Sequence, residues 1–128
     1  MADIVLSEKE VYSNIRTVLA NARQKAYSAI KLAMVEAYWE IGRQIEQAVG
    51  DRAEYGKGLL QYISIRLTKE FGKGFDETNL RKMRQFYQTF PIQDALRLEL
   101  SWTHYRLLMK VNEPKRREFY LNEYVEPN

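Results

Sequence analysis

Apolar residues recur through the first third of the chain at Val11, Ile15, Val18, Ala22, Ala26, Ala29, Ala33, Ala37, Ile41 (or Trp39 beside it), Ile45 and Ala48. That spacing follows the 3.6-residue turn of an α-helix. No proline or glycine interrupts it before Gly42, and Ser7-Glu-Lys-Glu10 has the form of a capping box, with Leu6 placed to staple onto Val11. The pattern predicts one helix, or two nearly collinear ones, over 8–49, ended by Gly50. A straight helix of that length runs roughly 60 Å, whereas a compact chain of this size is only about 36 Å across. Part of it is therefore expected to project, and an exposed apolar stripe needs a partner, most simply a second copy. Val11, Ile15, Val18, Ala22 and Ala26 are the expected contacts of a homodimer, or an intertwined assembly, joined through residues 8–35. A break near Asn21–Lys25 would instead fold the helix back as a hairpin, but no turn signal marks it.

Asp51 to Gly58 read as a loop. Leu59–Phe71 then form a helix with Leu60, Ile63, Leu67 and Phe71 inward and Tyr62 on its flank. Gly72 and Gly74 permit a sharp reversal, Asp76 sits as an N-cap, and a helix follows over 77–90, stopped by Pro91. Leu80, Met83, Tyr87 and Phe90 mark its core side, and Thr78, Arg81, Lys82, Gln85, Gln88 and Thr89 its polar side. Ile92–Leu98 read as a short helix. Ser101 caps another, Trp102–Val111, which buries some of Trp102, Tyr105, Leu108 and Met109. Pro114 suits the first turn of a last one, Lys115 to about Glu126, anchored by Phe119, Tyr120 and Tyr124. No stretch alternates convincingly as a strand. The expected fold is all-α: one helical domain over 1–128, in which the long helix is followed by a compact bundle over 56–128 with a helix-turn-helix-like unit.

With 128 residues, 45% apolar and 29% charged, the chain has the composition of an ordinary globular domain. It contains no cysteine, so disulfides and thiolate metal sites are excluded and a reducing compartment, the cytoplasm, is expected. Nothing at the N-terminus has the charge or apolar run of a signal peptide, and no window is long and apolar enough for a membrane span. The net charge of +3 is unevenly spread: residues 51–90 hold eight basic and five acidic side chains, while the segments on either side are balanced. The excess lies in the helix–turn–helix stretch, as expected where one element meets a polyanion.

Thr78, Asn79, Arg81, Lys82, Arg84 and Gln85 form a donor-rich group suited to phosphates and base edges. Lys57, Lys69 and Lys73 would flank the phosphates, and Arg106, Lys115, Arg116 and Arg117 would form a second patch. Lys115 to Arg117 also oppose the dipole at the start of their helix, a cost that solvent or an anion would relieve. A solvated polar face is the plainer account of any one of these groups.

Catalytic groupings are missing. The Gly-Lys-Gly tripeptides at 56–58 and 72–74 fail the spacing of a phosphate-binding loop. His104 has no second histidine or cysteine and reads as a packed or capping residue. Glu36 and Glu40 lack the companions of a di-metal site. Glu113-Pro-Lys115 matches half of a nuclease motif but stands at a helix start without its strand. No metal, cofactor or catalytic residue is expected.

Several segments in one order carry a resemblance: Tyr38-Trp39-Glu-Ile41-Gly42, Tyr55-Gly56, Leu67-x-x-Glu70-Phe71-Gly72-x-Gly74-Phe75, Asn79-Leu80-x-x-Met83-Arg84-x-Phe86-Tyr87, Leu100 to Leu108, and Phe119-Tyr120. Over about residues 10–128 they resemble the N-terminal helical domain of YhcG-like bacterial proteins. Asp76 stands where that family is expected to carry serine, and both residues cap helices. The resemblance implies a DNA-binding or assembly module that precedes a PD-(D/E)XK nuclease domain. Every catalytic residue would then lie beyond Asn128, and this chain would be an excised domain or a stand-alone relative. Leu100–Leu108, continuing through Glu113–Glu126, also resembles the helix-turn-helix of ParB-type DNA-binding proteins. The expectation is a non-catalytic, DNA-binding homodimer; a protein–protein scaffold that docks a nuclease domain is the alternative.

Overall fold

A computed structural model describes residues 5–97 and 99–125; the expected helical ends at Leu98 and Glu126 fall outside them. Among the described residues there are five α-helices and no strand: α1 (Glu8–Val49), α2 (Ala53–Phe71), α3 (Glu77–Thr89), α4 (Trp102–Met109) and α5 (Pro114–Val125), with a 3-10 turn at Gln93–Ala95. The fold is all-α.

Local chemistry accounts for most boundaries. Ser7 and Glu10 form the reciprocal capping box that starts α1, and the helix runs unbroken through Asn21–Lys25. Gly50 leaves it with φ +56°. Gly72 and Gly74, at φ +85° and +108°, make the reversal between α2 and α3. Asp76 Oδ1 then accepts the Asn79 amide at 2.8 Å, starting α3. Ser101 and His104 form a second capping box at α4: His104 Nδ1 accepts the Ser101 amide, and the Ser101 hydroxyl accepts the His104 amide. His104 is thus a capping residue, stacked on Tyr124.

Contacts divide the chain into two units between Lys31 and Leu32. In the first, every described side chain is exposed, including Val11, Ile15, Val18 and Leu19.

The second unit holds the core, in two clusters that meet on α3. Phe86 enters one with Val35, Trp39, Leu96, Leu100, Tyr105, Leu108 and Met109. Leu80 and Met83 enter the other with Ile45, Val49 and Leu60. Tyr38 and Trp102, whose ring centroids are 5.0 Å apart, touch both. Three polar links fix the frame. Trp39 Nε1 donates to the Phe90 carbonyl at 2.7 Å. The buried Tyr105 hydroxyl accepts the Arg97 amide and donates to the Arg97 carbonyl, and burial pushes its pKa up. Arg84 spans α1 and α3 through Glu46.

Several expectations require correction. α2 begins at Ala53, so Asp51–Gly58 is mostly helix: Gly56 is buried, and a Cβ there would come 2.8 Å from Val49 Cγ1. The glycine reads as a loop signal but serves a helix contact. Phe71 is exposed and rests on Phe75 instead of the core. On α3 the fully buried aromatic is Phe86, and Tyr87 and Phe90 are half-buried around it. Residues 92–97 supply only the 3-10 turn, and α4 stops at Met109 instead of Val111. On α5 the half-buried Leu121 and Val125 reach the core, while Phe119, Tyr120 and Tyr124 are exposed.

Candidate nucleic-acid interface

α3 packs against both α2 and α4, and its outer side faces a depression it shares with α4. Thr78, Arg81, Lys82 and Gln85 lie three and four residues apart and so form one ridge along α3. Across from Lys82 and Gln85, α4 presents Thr103 and Arg106, and Lys110 follows at its C-cap. These polar side chains, with Leu107 and Met109, line an open depression of about 400 Å³. Lys82, Arg106 and Lys110 have no salt-bridge partner among the described residues, and no carboxylate lines the site. Clustered cations without counter-charges raise the local potential and attract polyanions.

The sequence-derived residues divide by position. Lys82, Gln85 and Arg106 converge here, so Arg106 joins this face instead of the expected second patch with Lys115. Arg81 is exposed on the same ridge and pairs with Glu77 at 3.7 Å, a surface pair of small energetic value. Thr78 is exposed and Asn79 half-buried at the first turn, where Asn79 gives its amide to the Asp76 cap. Lys69 is exposed in the last turn of α2, and Lys73 is exposed in the reversal that precedes α3. Lys57 lies twelve residues from Lys69 along α2, about 18 Å away at 1.5 Å per residue. Lys115 and Arg116 are exposed at the start of α5.

Arg84 and Arg117 are directed elsewhere. Arg84 Nε lies 2.5 Å from Glu46 Oε2, and its Nη2 donates to the Gly50 carbonyl at 2.6 Å; Gln88 donates to the same Glu46 carboxylate. Arg117 donates through Nε and Nη2 to the Val111 carbonyl, so this arginine at the α5 N-terminus satisfies backbone left open after α4. Thr103 and Lys110 were missed by sequence reasoning. Their signal was present, since Thr103, Arg106 and Lys110 follow i, i+3, i+7 spacing, but Lys110 sits at the helix end, where the pattern is weakest.

Elsewhere, Glu40 is matched by Arg43, whose guanidinium lowers the Glu40 pKa from 4.5 to about 2. Among the described residues no group of three or more His, Asp or Glu could hold a metal ion, and no helix is long and apolar enough to cross a membrane.

Comparison with known proteins places these elements in a family. A protein of Escherichia coli (strain K12) named "Putative nuclease YhcG" is 34% identical over 85 residues, which cover 64% of this chain and 23% of that protein. The chain thus spans about a quarter of the length of that relative. No solved structure matches. The family model described as the DUF1016 N-terminal domain matches residues 14–128, and the chain belongs to that family.

Proposed function

We propose that the chain is a non-catalytic DNA-binding module that self-associates through residues 8–31, short of the expected residue 35 because Val35 is buried in the core. The observation that carries the DNA reading is the shared depression of α3 and α4, where Lys82, Arg106 and Lys110 stand unpaired among the described residues beside Gln85 and Thr103. Lysine and arginine there would neutralise phosphates, and glutamine and threonine would donate to phosphate or base-edge acceptors. Arg81 and Thr78 extend this ridge, Lys69 and Lys73 flank it, and Lys115 and Arg116 offer a second basic patch. Arg84 and Arg117 support the scaffold of the site. The nuclease named in the relative fits a nucleic-acid partner, and the chemistry would belong to a separate nuclease domain.

Doubly substituted Arg81→Ala, Lys82→Ala protein should bind non-specific duplex at least tenfold more weakly in a shift assay, with its melting temperature unchanged. Lys82→Ala, Arg106→Ala should behave likewise. Undiminished binding by both proteins would sink the assignment.

A second reading, an assembly scaffold, is favoured by one feature. Ile41, Ile45, Ala48, Leu59, Ile63 and Leu67 line an open apolar groove of about 300 Å³ between the second-unit part of α1 and α2, suited to a nuclease domain or another protein. Binding to DNA and to an isolated nuclease domain, each at two salt concentrations, separates the readings, because only the phosphate contacts release counterions steeply.

A further inference from the structure

We infer that residues 8–31 of two copies pair antiparallel, with Val11 of one opposite Ala22 of the other and Ile15 opposite Val18. This rests on the self-association proposed above and adds its direction and register. Val11, Ile15 and Val18 are 42%, 54% and 66% exposed, so these apolar side chains stand largely uncovered among the described residues. At about 100° per residue, these three and Ala22, Ala26 and Ala29 fall within a face about 80° wide. Their spacing of four, three, four, four and three residues keeps that face straight, and the alanines let a second helix approach closely.

Charge complementarity identifies the occupant. In this segment the acids, Glu8 and Glu10, lie at the start with Lys9 between them, which turns away from the apolar face, Arg16 stands in the middle, and the bases Arg23, Lys25 and Lys31 lie toward the end. Glu8, about five turns before Ala26, lies at the edge of the apolar face toward Arg23, and Glu10 and Lys25 lie on its other side. Two antiparallel helices related by a two-fold axis bring like sides together. With Val11 opposite Ala22, Glu8 then comes within two residues, about 3 Å along the axis, of the level of the second copy's Arg23. Glu10 stands in the same relation to the second copy's Lys25. Symmetry repeats both pairs. A parallel arrangement would bring opposite sides together instead, setting Glu8 toward the second copy's Glu10 and Arg23 toward its Lys25, pairs of like charge. Arg16 gives an independent sign. In the antiparallel pair it meets its own copy near the two-fold, whereas in the parallel pair it would lie toward the second copy's Glu10.

The chain has no cysteine, so orientation can be read from single-cysteine variants of the full chain. Under mild oxidation, Val11→Cys mixed with Ala22→Cys should give a disulfide-linked pair, and neither variant alone should. Arg16→Gln should tighten self-association about threefold, and Glu10→Lys should weaken it about tenfold, with Glu10→Lys, Lys25→Glu restoring it. Self-linking of Val11→Cys, or weakening by Arg16→Gln, overturns the antiparallel register. A two-chain mass by light scattering without mixed cross-linking overturns the register alone. A one-chain mass at all concentrations overturns self-association as well, and neither result bears on DNA binding through α3 and α4.

Discussion

Arg81 and Arg84 stand one turn apart on α3 and look equivalent in sequence, yet their surroundings separate them. Arg84 is half-buried between Glu46 and the Gly50 carbonyl, so Arg84→Ala takes the guanidinium from the Gly50 carbonyl and leaves the Glu46 carboxylate with Gln88 but no cation. It should cost about 1–2 kcal/mol in urea unfolding, while Arg81→Ala should stay within about 0.5 kcal/mol. Sequence alone could not make this distinction, because the partner, Glu46, lies 38 positions upstream. The alternating fates of Arg81, Lys82 and Arg84 depend on where α1 runs, which no local pattern encodes. Glu40 gives a pH test at the same scale. Its folded pKa of about 2 lies below the ordinary 4.5, because Arg43 holds the carboxylate ionised. The stability it adds is therefore complete above about pH 4.5 and is lost as pH falls toward 2. In a carbon-detected acid titration Glu40 should protonate only near pH 2, and Arg43→Ala should raise its midpoint toward 4.5.

At the scale of the element, α1 and α3 touch because Gly42 has no side chain. A Cβ there would fall 2.0 Å from the Met83 carbonyl oxygen. Alanine is the better helix former by about 1 kcal/mol, yet Gly42→Ala should destabilise the fold by at least about 1–3 kcal/mol, since α3 must move or strain. Gly58 is the control: it lies in α2 with nothing near its missing Cβ, so Gly58→Ala should stabilise by about 0.5–1 kcal/mol. Denaturant midpoints of the two variants should shift in opposite directions. The elements were legible where their signals are local. Ser7, Asp76 and Ser101 mark three helix starts, Gly50 and Gly72 two helix ends, and Pro91 and Pro114 the flanks of the short helical region. Where a residue answers to a distant neighbour, the pattern misleads: Gly56 follows Val49, and Phe86 takes the core position that the stripe through Tyr87 suggested for its neighbour. The groove was half legible, since Lys82 and Gln85 belong to one visible ridge, but only the packing of α4 sets Arg106 and Lys110 opposite it.

For the whole molecule, two expectations couple. If Lys82, Arg106 and Lys110 each neutralise one phosphate, the logarithm of the duplex binding constant should fall with log salt at a slope of about −3 per chain. A paired molecule that engages both copies on one duplex should approach twice that slope, and Glu10→Lys, by loosening the pair, should return it to the single-chain figure. Fluorescence anisotropy at a series of salt concentrations reads both.

The two tryptophans, Trp39 and Trp102, both belong to the unit that begins at Leu32, and both pack in its core clusters. Their emission therefore reports on that unit alone, whereas far-ultraviolet circular dichroism also registers the exposed turns from Glu8 to Lys31. A helix whose apolar side is uncovered has little beyond intrinsic propensity to hold it. On dilution the dichroism should begin to decay at lower denaturant than the tryptophan signal, and the two curves should converge as protein concentration rises. If two chains pair as proposed, the gap between two ordinary spectroscopic probes becomes a meter of how firmly one chain holds another.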